Sequence, residues 1–90
     1  MLNTKEIRVK LRTIQPYYIE TDLIPRLYFK EDEKNTEYWI FFYRYIRKLE
    51  DATIGVRLGY DRKTIYIATL KIIENNYDII LNFYSQFCHK

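Results

Sequence analysis

Cysteine occurs once in this sequence, at Cys88, and glycine and proline occur only twice each. A single thiol excludes an internal disulfide framework and a cysteine-based zinc site. With no secretory signal beside it, the default compartment is a reducing cytoplasm. Two glycines and two prolines are too few for the many tight turns of a β-sandwich or barrel. Long apolar runs are also missing: none approaches the ~20 residues that a membrane span needs. The opening "MLNTKEIRVKLR" carries charges every few positions and is no signal segment. A soluble, cytoplasmic protein is expected.

Catalytic chemistry lacks its parts as well. Nucleophilic catalysis needs a base, an orienting group and an oxyanion site, whereas the only histidine, His89, stands beside Cys88 at the chain end. There is no Gly-rich phosphate loop, and Glu31, Asp32 and Glu33 belong to a solvated charge run. The sequence therefore predicts a protein that is not an enzyme, with no catalytic residues, no metal and no cofactor.

What is present is apolar and aromatic. The 90 residues are 48% hydrophobic and 18% aromatic, enough for one core and one domain over 1–90. Ten tyrosines with many Ile and Asn suggest an AT-rich coding genome. The net charge of +3 is unevenly placed. From Arg44 to Lys71 seven basic residues face three acidic ones, giving +4, and the remainder has eight against nine, giving −1. A local field of that sign attracts polyanions.

Helical periodicity organises the chain, and no convincing alternating strand is found. Asn3 and Glu6 have capping-box spacing, Leu2 and Ile7 that of a hydrophobic staple, and Ile7, Leu11 and Ile14 recur at helical spacing. This predicts a helix over 4–15 with Lys5, Arg8, Lys10 and Arg12 on its solvent face and Pro16 as its stop. Tyr18, Ile19, Leu23 and Ile24 suggest a short helix that Pro25 interrupts, and Leu27, Tyr28 and Phe29 look like anchors before the charged loop "KEDEKN". Asn35 or Thr36 opens the next helix, whose inward face is predicted as Trp39, Phe42, Ile46 and Leu49, broadened by Phe41 and Tyr45. "ENNYD" breaks or bends the chain before a last helix with Tyr77, Ile80, Leu81, Tyr84 and Phe87 in one stripe. The fold expected is all-α, about five helices. The terminal stripe is a candidate homodimer face.

"IGVRLGYDRKTIY" is the informative stretch. Two helices at a steep angle, joined by a tight turn, need a residue tolerant of positive φ, here Gly59, and an N-cap, here Asp61. Small residues are needed where the helices cross, and Gly55 and Ala68 supply them. Ile54, Leu58 and Ile65, with Tyr60 as a further candidate, are spaced to fill the angle between the helices. The pattern predicts a helix-turn-helix at about 50–74.

The same stretch resembles the "IAxxLGxSxxTVxR" pattern of sigma-factor region-four-like helix-turn-helix domains. With the preceding "YWIFFYRYIRKLEDAT" it is similar to small phage-encoded transcriptional regulators of the ArpU kind. The likeness covers 38–71, about a third of the chain. Gly55 stands where Ala is usual, Asp61 where Ser or Thr is usual, and Ile67 where Arg often follows. The resemblance implies a phage- or mobile-element-borne regulator that binds double-stranded DNA. It places Arg62, Lys63 and Tyr66 at base edges in the major groove and Thr64, Arg57 and Arg47 at phosphates. The rival expectation is a protein-interaction module that binds or inhibits a host protein such as RNA polymerase, with 17–34 and its "RLYF" as the contact surface.

Overall fold

The computed structural model describes residues 2–30 and 35–88, apart from the side chains of Phe87 and Cys88. The "KEDEKN" loop for the most part, the charge run Glu31 to Glu33, His89, and those two side chains lie outside the described residues.

The chain is all-α, with six α-helices and no strand among the described residues. Helix α1 spans Thr4–Lys10, and its capping box forms as expected: the Glu6 N–H donates to Asn3 Oδ1 at 2.9 Å, and the Asn3 N–H to Glu6 Oε1 at 3.0 Å. The expected run to Gln15 is shorter, because Leu11–Thr13 tightens into a 3-10 turn. The carbonyls freed there are taken by Lys48 Nζ, which reaches Arg12 O at 2.8 Å and Ile14 O at 3.0 Å. Pro16 follows as the first residue of α2, Pro16–Tyr18, where its missing N–H costs nothing. A π-helical Ile19–Leu23 and a 3-10 Ile24–Arg26 continue it and bury Ile19 and Leu23. Pro25 fits because it falls within the first two residues of that 3-10 turn.

Leu27 and Phe29 pack partly against the core, while Tyr28 between them is exposed. The buried Asn76 fixes this segment: its amide donates to Tyr28 O at 2.8 Å and to Ile72 O at 2.9 Å, and Tyr28 N–H donates to Asn76 Oδ1 at 2.7 Å. The same residue separates α5, Arg62–Asn75, from α6, Tyr77–Cys88. The "ENN" break is thus an end of one helix and a clamp on a remote loop.

Helix α3, Thr36–Tyr45, is turned differently from the sequence expectation. It buries Ile40, Phe41, Arg44 and Tyr45, leaves Phe42 partly exposed, and leaves Trp39 41% exposed. Its N-cap makes no side-chain hydrogen bond, and Asn35 sits at φ 48°. The helix stops at Tyr45, earlier than its apolar pattern suggests, and Lys48 at φ 57° redirects the chain into α4, Asp51–Leu58. Helix α5 is the central element, packed by α1, α3 and α4. Its Ile65, Ile72 and Ile73 join Ile7, Leu11, Ile54, Ile80 and Phe83 in one core.

Candidate nucleic-acid interface

The corner between α4 and α5 forms as the residue types dictate. Gly59 takes φ 83°, the left-handed region that favours glycine. Its N–H and that of Tyr60 both donate to Gly55 O, at 2.8 and 2.9 Å. A Cβ on Gly55 would lie 2.3 Å from the Tyr60 carbonyl oxygen, so no methyl fits this corner. That is closer than the Ala of the resembled pattern would tolerate. Ile54 and Ile65 are fully buried between the helices, with Leu58 and Ala68 partly buried beside them.

Asp61 caps α5 by accepting the Thr64 N–H at 2.7 Å. A hydrogen bond from the Thr64 side chain, and then this backbone bond, hold the Asp61 carboxyl below its ordinary value. The cap fixes the first turn of α5, from which the exposed Arg62 and Lys63 project, with no salt bridge among the described residues. Thr64 is exposed too and lines a hollow of about 380 Å³ with Tyr60, Ala68 and Ile40. Helix N-termini carry partial positive charge, which suits a phosphate-bearing partner.

Other expected contact residues stand elsewhere. Tyr66 is half-buried, and the Arg8 guanidinium lies over its ring at 4.6 Å. The position that faces outward between Lys63 and Lys71 is instead Ile67, 41% exposed. Arg57 is exposed but turned toward α3, over the Tyr43 ring at 5.7 Å. Arg47 is exposed just past the end of α3. The structure thus brings Arg62, Lys63 and Thr64 together on one helix end and leaves Tyr66, Arg57 and Arg47 on other surfaces.

Of the seven cations in the basic stretch, two are internal. Arg44, 4% exposed, donates to Leu49 O at 2.9 Å and lies 3.7 Å from Asp51 Oδ1. Burial first, and then the neighbouring Arg8, push Arg44 below its ordinary value. Lys48 is the cap on the turn after α1, and burial lowers its value too. Arg8 was expected on the solvent face of α1, yet it is buried. It pairs with Asp51 and donates through Nε to Thr69 Oγ1 at 2.8 Å. Its position next to Ile7 at the edge of the apolar stripe was the only sequence signal for this. Arg8 therefore joins α1, the N-terminus of α4 and the middle of α5 through one guanidinium. The exposed positive charge that remains is Arg47, Arg57, Arg62, Lys63 and Lys71.

The candidate dimer stripe on α6 is mostly used within the domain. Ile80 is fully buried, and Tyr77, Leu81 and Tyr84 pack partly against the core. Tyr77 also donates its hydroxyl to Leu2 O. Phe87 lies outside the described side chains. No group of acidic, His or Cys side chains able to hold a metal, and no helix long and apolar enough to cross a membrane, occurs among the described residues. No protein-family model, curated protein or solved structure matches the chain.

Proposed function

We propose that this chain is a sequence-specific DNA-binding regulator of transcription that acts by occupancy, with the N-terminal half of α5 in the major groove of a duplex. The observation that carries the reading is the asymmetry of the cations. Arg8, Arg44 and Lys48 are held by interior carboxylates, hydroxyls and carbonyls, whereas Arg62 and Lys63 are exposed at a capped helix N-terminus with no salt bridge among the described residues. The glycine-tight corner sets that helix end at a defined angle to α4, the arrangement that a groove-reading helix requires. Arg62 would make bidentate bonds to guanine there, and Lys63 and Thr64 base or phosphate contacts. Arg47 and Lys71 add to the attraction of the phosphates.

An Arg62→Ala/Lys63→Ala double variant tests this. Both residues are exposed, so the urea midpoint should stay close to that of the wild type. Affinity for a selected duplex, read by fluorescence anisotropy, should fall at least about thirtyfold, as two base-edge contacts of about 1–3 kcal/mol each imply. A folded double variant with full affinity removes α5 from the groove.

A further inference from the structure

Helix α5 carries an apolar side chain in the middle of its solvent side. Ile67 is 41% exposed and lies on the side of the helix away from Ile65, Thr69 and Ile72, which are buried. The half-buried Leu70 follows three residues on. Helix formation does not call for isoleucine here, because Lys, Arg, Glu or Gln is the better helix former at an exposed position. A single exposed apolar residue is ordinary on a protein surface, so it is the place of Ile67 that distinguishes it. Lys63 precedes it by four residues and Lys71 follows it by four, and both are exposed. The three form one row along α5, with a cation at each end and a branched apolar group between them. The acids of α5 and its cap are Asp61, which accepts the Thr64 N–H, and Glu74, about 10 Å further along the axis than Ile67.

We propose that Ile67 reads the C5-methyl group of a pyrimidine in the major groove, so that α5 selects thymine at one position of its site. The proposal rests on the reading that α5 enters the groove, and it names what the middle of the helix recognises there. The C5-methyl is the apolar group that an A·T pair presents on its major-groove edge, and an apolar side chain is its fitting partner. Ile67 falls in the second turn of α5, within the N-terminal half that a groove-reading helix applies to the bases. It lies about 7.5 Å along the axis from Arg62. That is about two base-pair steps, which sets the thymine about that far from a guanine held by Arg62. Lys63 and Lys71 suit the phosphates on either side of that base edge. 5-Methylcytosine carries the same methyl at the same place and is the second source of this chemistry. A second copy of this chain is the competing occupant, but a helix centred on Ile67 would set lysine against lysine whichever way it ran.

The test uses a duplex selected by the wild-type chain from a random library. Each thymine is replaced in turn by uracil, which removes the methyl and keeps the hydrogen-bonding groups of the base. By fluorescence anisotropy, one replacement should weaken wild-type binding about fourfold, the effect of one buried methyl. Ile67→Ala should bind the thymine duplex more weakly by the same factor and bind thymine and uracil alike. Alanine favours the helix and replaces an exposed side chain, so a urea midpoint at or above that of the wild type would confirm folding. Cytosine and 5-methylcytosine are compared at the same position. A methyl effect confined to the thymine pair names thymine as the source, one in both pairs names the methyl itself, and either supports the proposal. If no uracil replacement weakens wild-type binding, or if Ile67→Ala keeps the discrimination, with or without a loss of self-association in sedimentation, the proposal is overturned. The Arg62→Ala/Lys63→Ala variant keeps the two claims apart. Its loss of affinity alongside indifference to uracil ends the methyl contact alone. Full affinity in that variant, or a wild type that binds no duplex, removes α5 from the groove and both claims with it.

Discussion

Single residues set the corner that presents α5, and they do so by different means. Gly55 is needed for space, because its Cα lies against the Tyr60 carbonyl. Gly59 is needed for its backbone angle, since nothing lies within 4 Å of where its Cβ would be. The two substitutions by alanine should therefore differ. Gly59→Ala costs about 1 kcal/mol for the left-handed conformation. Gly55→Ala gains about 1 kcal/mol of helix propensity but forces the corner apart, and overpacking of that kind costs about 1–3 kcal/mol or more. With a methyl at 2.3 Å from a backbone atom, the upper part of that range applies, and Gly55→Ala should be the more destabilising of the two in urea denaturation. The reverse order would mean that the corner relaxes freely. These positions were legible in the sequence because turn chemistry is local: Gly59, Asp61 and the small Gly55 are read from their neighbours alone.

Tyr45 was legible as an inward residue, but its partner was not. Its hydroxyl donates to Arg8 O at 3.1 Å, and burial pushes its ionisation up from 10.0 to about 12. A group whose native value is raised supports the fold below its unfolded value and loses that support as pH rises through the native one. Stability should thus fall between pH 10 and about 12, and Tyr45→Phe should flatten that limb in pH-dependent urea melts. A variant with an unchanged alkaline limb would place the titration elsewhere.

At the scale of the element, α3 is where periodicity misleads. "EYWIFFYRYI" is apolar at almost every position, so a 3.6-residue repeat can be laid on it in more than one phase. The phase goes with contacts that lie just past the helix, five to seven residues on, which an apolar repeat does not register: Arg44 meets Leu49 O and the carboxylates of Glu50 and Asp51, with Trp39 outward. The phase has a direct test. Ile40→Ala removes a buried side chain and should cost about 2–4 kcal/mol. Trp39→Gln changes an exposed one and should stay within about 0.5–1 kcal/mol, despite Trp39 being much the larger residue. Comparable losses at both sites, read from urea midpoints, would return Trp39 to the core. Helix α1 carries the same lesson in smaller form. Its capping box and apolar stripe were readable, whereas the burial of Arg8 depends on Asp51 and Thr69, 43 and 61 residues away.

For the molecule as a whole, long-range polar ties join parts that the sequence presents separately. Arg8 links α1 to α4 and α5, Lys48 closes the turn after α1, and Asn76 holds the Tyr28 loop against the end of α5. The first third of the chain is therefore a brace behind α4 and α5. With a radius of gyration of 12.4 Å, the chain has the dimensions expected of about 90 compact residues. The bracing leaves exposed, first, the N-terminus of α5 with Arg62 and Lys63, and second, Trp39 on the outer side of α3. The central claim concerns the first of these. Its most direct measurement is wild-type binding to a labelled duplex by fluorescence anisotropy across a salt series. Binding should weaken with a log–log slope of about −3, the signature of three to four neutralised phosphates. A folded sample that fails to bind at low salt, or binds with a slope near zero, would contradict the account.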